Sequence, residues 1–320
     1  MNTQIKLAII AIAIVIPLAS LAVTQTNSPS NNSTNENSKL QVVASATFLY
    51  EFSQNIGKEM IDVTLLVPMG ADPHDWEPTI RDTERLQKAD MIIVNGIGYE
   101  HWLNSLELSD IAGILVDTSN GISTLDSANH DEEKHDDHAK EDGHDDEDNH
   151  NHGVLDPHIW LNPVFAQLQV KNIANALSNS DPTNKNYYQS NAAIYNQKLN
   201  LLDTKIRTEL SGCKTDFITF HDAFSYFSEE YGLTQHTIIS STDSHGDVTP
   251  KTLEHIISLA RELNIKVIFA EENTSTKTSQ VIADEIGGKV LVLSPLEIVS
   301  DESYVEKMIQ NLDNLKDVLC

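Results

Sequence analysis

Short apolar runs alternate with amphipathic stretches along most of this chain. Mostly apolar segments, such as residues 61–67 and 90–95, are typical of parallel strands that are buried on both faces. Between these runs, apolar residues recur at three- and four-residue steps, as expected for helices that cover a sheet. Thr47 precedes the first helical stretch and is expected to cap it. Four alternations within residues 40–117 predict a parallel sheet with right-handed crossovers.

A long helix divides this pattern into two halves. Residues 185–210 contain neither Pro nor Gly, and their apolar positions follow one helical face. Such a helix measures about 40 Å, which is the span of a domain. The predicted fold class is therefore α/β, with two parallel-sheet lobes joined by a single long rigid helix and a ligand site in the interlobe cleft. A coiled-coil dimer is the alternative, although the seam covers fewer than four heptads.

Changes of composition predict the domain organisation. Residues 7–23 are uncharged and largely aliphatic, which indicates a signal peptide or membrane anchor over residues 1–23. Asn, Ser and Thr dominate residues 24–39, a predicted disordered linker. We assign an N-terminal lobe, a connecting helix and a C-terminal lobe to residues 40–183, 184–211 and 212–320. An exported chain is extracytoplasmic, where Cys213 and Cys320 are compatible with one disulfide.

The chain is strongly acidic, with a formal net charge of −27 from 48 acidic and 21 basic residues. This charge opposes binding to nucleic acid and favours cationic partners. Residues 127–153 form an acidic loop that has almost no apolar residue and cannot fold alone. Imidazoles among carboxylates suit weak, rapidly exchanging metal binding, and a solvated linker is the alternative. The loop histidines are His130, His135, His138, His144, His150 and His152.

Three further histidines stand where open α/β sheets bind ligands, at the carboxyl ends of predicted strands or on proline-stiffened loops. His74 and His158 each occur in the pattern Asp-Pro-His-x-Trp, and His221 directly follows an apolar run. Three neutral imidazoles without a thiolate suit Zn²⁺, Cu²⁺ or Ni²⁺ better than Mg²⁺ or Ca²⁺. We predict one tight metal site, and expect its affinity to fall below about pH 6 as the imidazoles protonate. The alternative is that each histidine only closes a turn.

Five stretches resemble the metal-specific solute-binding proteins of zinc and manganese ABC importers. They are residues 73–79, 94–102, 156–163, 220–227 and 267–271. The resemblance covers the chain from about residue 40 onward, and it implies two lobes joined by one long helix with a single metal between them. Its first three ligand positions map onto His74, His158 and His221. Histidine at the third of these positions, together with the acidic loop, resembles the zinc group, whereas manganese members usually carry Glu there.

The fourth ligand position departs from the family pattern. Family members usually have an Asp before a Pro late in the chain, and here Ser294 precedes Pro295. A serine hydroxyl is a poor ligand for Zn²⁺, which prefers nitrogen, sulfur and carboxylate donors. We therefore expect water, or a carboxylate such as Glu77 or Glu271, to complete the coordination sphere.

The expected function is capture of Zn²⁺ by a monomeric, extracytoplasmic solute-binding protein that delivers the ion to a membrane permease of an ABC transporter. We expect neither catalysis nor nucleic-acid binding. A manganese or iron importer component is one alternative, and a metal-containing surface adhesin is another. A zinc-dependent hydrolase is a third, because three histidines and a water can activate hydroxide. The chain has no His-Glu-x-x-His motif that would favour a hydrolase.

Overall fold

The structure is a computed structural model that describes residues 39–320 except 69, 70, 72, 107–110, 126–154, 240–247 and 273–275. The predicted signal or anchor, residues 24–38 of the predicted linker and the acidic loop lie outside the described residues. The helices that are described include none with the length and hydrophobicity that crossing a membrane requires.

Two four-stranded sheets, parallel throughout, form the centres of two lobes. The first sheet has the order β2-β1-β3-β4, with β1 Leu40–Ala44, β2 Ile61–Leu65, β3 Met91–Val94 and β4 Ile114–Asp117. The second has the order β6-β5-β7-β8, with β5 Asp216–Thr219, β6 Thr234–Thr237, β7 Val267–Ala270 and β8 Lys289–Val292. In each sheet the strand order reverses beside the first strand, which creates a crevice at the carboxyl ends where ligands bind. The predicted α/β fold class of two parallel-sheet lobes is confirmed.

Eight helices surround these sheets within the described residues. The first lobe has α1 Thr47–Gly57, α2 Ile80–Lys88 and α3 Pro163–Ser180, and α4 Lys185–Leu210 follows. The second lobe has α5 Ser225–Tyr231, α6 Pro250–Glu262, α7 Lys277–Ile286 and α8 Tyr304–Leu319. Thr79 caps α2 in a capping box with Asp82. The prediction for Thr47 is wrong: Ala46 is the N-cap, and the Thr47 hydroxyl donates to the carbonyl of Leu296 at 2.8 Å.

Helix α4 is one uninterrupted helix of 26 residues that packs against both lobes. Its buried face consists of Tyr188, Asn191, Ala192, Tyr195, Leu199, Leu202, Ile206 and Leu210. Phe52 of α1 packs edge-on against Tyr195 at 5.5 Å and against Tyr304 of α8 at 5.2 Å, measured between ring centroids. One hydrophobic cluster therefore runs through both lobes. Burial of each such ring stabilises the folded state by about 1.5–3 kcal/mol. Because the cluster contains residues of both lobes, the two lobes share one core.

A disulfide between Cys213 and Cys320 closes the second lobe. The two cysteines are 107 residues apart in the chain, so the bond encloses every strand and helix from β5 to α8. Stable disulfides are characteristic of oxidising compartments, which agrees with the export predicted from the apolar N-terminal run.

Candidate metal centre

The three histidines singled out in the sequence meet at one point between the lobes. His74 lies on the loop between β2 and α2, His158 lies in the turn before α3, and His221 lies two residues after β5. One ring nitrogen of each lies within 4.8 Å of those of the other two. The Nε2 atoms of His158 and His221 are 3.4 Å apart. All three residues are buried, so the donors are removed from water.

His158 is oriented by a carboxylate from its own loop. Its Nδ1 lies 2.7 Å from Oδ1 of Asp156, and its backbone N–H donates to the same oxygen at 2.9 Å. Because a carboxylate only accepts hydrogen bonds, Nδ1 carries a proton, and Nε2 is the nitrogen that faces the cluster. The rigid Asp-Pro-His turn therefore fixes both the position and the tautomer of this ring.

His221 is oriented in the same way by a more distant residue. Its Nδ1 lies 2.5 Å from Oε1 of Glu271, and its backbone N–H donates to that oxygen at 3.1 Å. Glu271 directly follows β7, the strand beside β5 in the second sheet. Glu271 is one of the expected candidates for the fourth donor, and that role stays a prediction. Its carboxylate binds the ring nitrogen opposite the one that faces His158, where it orients His221.

His74 is held by aromatic packing and by its backbone. The ring of Tyr99 packs edge-on against it with a centroid distance of 5.6 Å. Tyr99 also packs against Trp160 at 5.1 Å, so one aromatic side chain contacts both histidine loops of the first lobe. A ring nitrogen of His101 hydrogen-bonds to the carbonyl oxygen of His74. These contacts hold His74 in place on the part of its loop that the structure describes.

Glu297 is the carboxylate that faces the cluster. Its Oε1 lies 2.9 Å from Nε2 of His74 and 3.6 Å from Nε2 of His158, and its side chain is only 8% exposed. Its position follows β8, so the second lobe contributes His221 and Glu297 while the first contributes His74 and His158. A carboxylate oxygen thus lies beside two of the three imidazoles, and oxygen and imidazole nitrogen are both donors that suit a divalent ion such as Zn²⁺.

Glu77 and Ser294 lie in different surroundings. Glu77 is exposed, whereas the three histidines are buried, and its expected part in the coordination sphere stays a prediction. The Ser294 hydroxyl donates to Glu272 at 2.8 Å. The family pattern places the fourth position at Ser294, and the sequence analysis does not single out Glu297. The available signal was that Glu297 is the first acidic residue after β8. The six histidines of the acidic loop lie outside the described residues.

Buried carboxylates give this cluster an excess of negative charge. Burial lowers the pKa of His158, but the carboxylates of Asp156 and Glu297 outweigh this effect and raise it to about 10. Burial raises the pKa of Glu297, yet the imidazoles of His74 and His158 lower it well below its ordinary value. Burial, reinforced by Asp156, raises the pKa of Asp222, the neighbour of His221. The electrostatic field at the cluster thus favours a cation, either protons or a metal ion.

Comparisons with known proteins agree on one family. The family described as zinc-uptake complex component A, periplasmic, matches residues 42–318. The high-affinity zinc uptake system protein ZnuA of Bacillus subtilis is 42% identical over 290 residues, which are 88% of each chain.

Solved structures show the same similarity. The metal-dependent lipoprotein YcdH of Bacillus subtilis has 38% identity and a TM-score of 0.72, over 88% of this chain and 99% of that chain. A mutant of the laminin-binding adhesin of Streptococcus agalactiae has 27% identity and a TM-score of 0.76, over 88% of this chain and all of that chain. With the family match, these similarities assign the two-lobed chain to one family. The chain belongs to the zinc-uptake complex component A family of periplasmic solute-binding transport proteins.

Proposed function

We propose that this chain captures Zn²⁺ outside the cytoplasmic membrane and delivers it to the permease of an ABC transporter. The observation that carries the proposal is the convergence of His74, His158 and His221 from two lobes within 4.8 Å, in a chain of the zinc-uptake family. The relative with 42% identity is named as a high-affinity zinc uptake protein. The ion is the cargo, so the site has to hold it selectively and then let it go.

The donor set suits zinc in particular. Zn²⁺ favours four-coordinate sites of imidazole and carboxylate ligands, with Zn–N distances near 2.0–2.1 Å. We propose His74, His158, His221 and Glu297 as its ligands. Mn²⁺ and Mg²⁺ prefer more oxygen donors and higher coordination than this set offers. A catalytic zinc site keeps one position open for water, whereas four protein donors close this one, which favours transport over hydrolysis.

Titration calorimetry on the full chain tests the proposal. Zn²⁺ is titrated alone and in competition with Mn²⁺ and Fe²⁺, into the unaltered protein and into His74→Ala. We expect one tight zinc site that the other two ions do not displace, and loss of that site in the variant. His236→Ala is the matched control, because His236 lies outside the cluster and pairs with Asp216 at 2.9 Å. Preference for Mn²⁺ or Fe²⁺, or equal loss in both variants, would contradict the assignment.

The partner and location are part of the same proposal. We propose that the chain acts as a monomer, released or tethered outside the membrane by residues 1–23, and that it contacts the permease rather than nucleic acid. The acidic formal charge of −27 supports a cationic cargo and opposes a nucleic-acid partner. Co-purification of the exported chain with the membrane permease of an ABC transporter tests this partner. Recovery from the cytoplasm alone would contradict the location.

We further propose that the acidic loop collects zinc weakly for the tight site. Six histidines among carboxylates in residues 127–153 support fast, low-affinity exchange. Deleting residues 131–150 should leave the tight site unchanged and slow zinc uptake only when zinc is scarce. Uptake that is unchanged at every zinc concentration would remove this role.

Adhesion is a second candidate function. A structural relative with 27% identity is named as a laminin-binding adhesin that also transports metal. Binding of the purified chain to immobilised laminin, measured with His74→Ala as a comparison, tests whether the outer surface shares this property. Saturable binding would support adhesion, and binding no stronger than to immobilised albumin would exclude it.

A further inference from the structure

The loop after β8, residues 294–297, carries Glu297 and is anchored to the second lobe at its beginning. Asn311 of α8 accepts the backbone N–H of Ser294 at 2.8 Å and donates to its carbonyl at 2.7 Å. The Ser294 hydroxyl donates to Glu272 and accepts the backbone N–H of Leu296 at 3.2 Å. These bonds fix the start of the loop to elements of its own lobe.

The two residues before Glu297 are held from the opposite lobe. The indole N–H of Trp160 donates to the carbonyl of Pro295 at 2.8 Å, and the hydroxyl of Thr47 donates to the carbonyl of Leu296 at 2.8 Å. Trp160 follows His158 by two residues, and Thr47 is the first residue of α1. The backbone next to the fourth donor is therefore bonded to the lobe that supplies His74 and His158.

Leu296 needs these bonds because its backbone conformation is unfavourable. Its φ is +62°, in the left-handed region that side chains other than glycine rarely adopt. A cavity of about 530 Å³ is lined by Thr47, Leu296 and Ile298, so the loop has free space on one side. If the hydrogen bond from Thr47 is lost, Leu296 can leave its strained backbone conformation, and the cavity provides space for that movement.

We propose that Thr47 is a positioning residue for the metal site, whose hydrogen bond to Leu296 holds Glu297 against the ion. The inference rests on the proposed function, because Glu297 matters to transport only if the ion binds at the histidines. A displacement of the lobes that breaks this bond leaves His74 and His158 with the first lobe and carries Glu297 away with the second. The bond thus couples contact between the lobes to the number of donors on the ion, and its loss speeds release.

The test measures how fast zinc dissociates from the loaded full chain when excess chelator is added. Thr47→Val removes the hydroxyl and keeps the side-chain shape, and it should raise the dissociation rate about tenfold, as loss of outer-shell support does at other metal sites. Thr47→Ser keeps the hydroxyl and should stay within about twofold of the unaltered chain. Thr47→Ala repeats the test if valine disturbs α1, because alanine favours helices.

A double-mutant cycle isolates the route through Glu297. In a Glu297→Gln background, Thr47→Val should add less than about a twofold change, because the donor that it positions is already lost. In the metal-free chain, amides of residues 294–297 should exchange hydrogen faster in Thr47→Val than in Thr47→Ser. Unchanged dissociation in a Thr47→Val variant of unchanged melting temperature overturns the inference. An equal acceleration in the Glu297→Gln background overturns it as well.

Failure of the proposed function has a different signature. If the unaltered chain binds no zinc, the function proposed above fails, and no dissociation rate can be measured. The hydrogen-exchange comparison on the metal-free chain still decides whether Thr47 fixes the loop. Equal exchange in the valine and serine variants would then reject the positioning role.

Discussion

The rings of His158 and His221 each bind a carboxylate, but one carboxylate is a near neighbour in the sequence and the other is distant. Each ring binds a carboxylate oxygen that also accepts the N–H of the same histidine's backbone. For His158 the partner is Asp156, two residues earlier, whereas for His221 it is Glu271, fifty residues later. The first half of the site is thus a local turn that a short segment encodes. The second half exists only after β5 and β7 have paired in the second sheet.

The largest effect that we expect concerns the lobe that depends on long-range contacts. Replacing Cys213 and Cys320 by serine removes a cross-link that spans 107 residues. The chain-entropy relation for a loop of this length gives a loss of about 4–5 kcal/mol in the free energy of unfolding. Denaturant unfolding of the variant and of the oxidised chain measures the loss. A difference below about 1 kcal/mol would show that the second lobe does not rely on the bond.

Removing either oriented histidine should abolish tight binding to a similar degree. A structural zinc ion is bound by about 10–16 kcal/mol, which four ligands share, so each contributes about 2.5–4 kcal/mol. His158→Ala and His221→Ala should therefore each weaken zinc binding at least about 100-fold, as measured by competition with a chromogenic chelator. Tight zinc binding in either variant would mean that the histidines of one lobe suffice, and would contradict the claim that both lobes are needed.

The two outer carboxylates should have smaller and comparable effects. Asp156→Asn and Glu271→Gln keep the size of each side chain and remove the charge that orients the ring. We expect each to weaken zinc binding about 10–100-fold, measured by the same competition. Glu77→Gln is the matched control, because Glu77 is exposed. The zinc affinity of this variant should equal that of the unaltered chain. A loss of zinc affinity in Glu77→Gln as large as in Glu271→Gln would favour Glu77 as a ligand.

Over one pH unit, the smallest effect is a dependence of affinity on pH. Because the pKa of His158 is raised to about 10, the metal-free ring holds a proton at pH 7 that zinc has to displace. Competition from this proton is strongest at low pH and ends above pH 10, so apparent affinity should rise by up to about tenfold per pH unit for each proton released. The sequence alone placed the fall in affinity below about pH 6, and the neighbouring carboxylates extend it upward.

Calorimetry at pH 7.5 in buffers of different ionisation enthalpy counts the released protons. About one proton for each zinc ion is expected from His158. Binding without proton release, and an affinity that is constant from pH 6.5 to 8.5, would contradict the raised pKa.

Features encoded by local sequence were predictable. The alternation of apolar runs predicted two parallel sheets, and the uninterrupted pattern of residues 185–210 predicted the helix observed over Lys185–Leu210. The three histidines were found because proline-rich turns and strand ends are visible in sequence and occupy known places in α/β folds. The Asp-Pro-His turn even contains the partner that orients His158.

Features that depend on distant contacts were not predictable. Glu271 is one candidate for the fourth ligand in the sequence, where nothing shows that it pairs with the outer nitrogen of His221. Glu297 follows Leu296, whose left-handed backbone is not indicated by a leucine in the sequence, so the approach of this carboxylate to His74 and His158 could not be predicted. Thr47 resembles a helix cap in sequence, yet its hydroxyl bonds to the loop of the other lobe. Each of these features reflects tertiary structure that overrides a local rule.

Anomalous diffraction at the zinc absorption edge, from crystals of the zinc-loaded chain, tests the central claim most directly. We predict one peak between the lobes, with Nε2 of His74, His158 and His221 and one oxygen of Glu297 at about 2.0–2.2 Å from the ion. A peak bound by residues of a single lobe, or no peak near these histidines, would contradict the account.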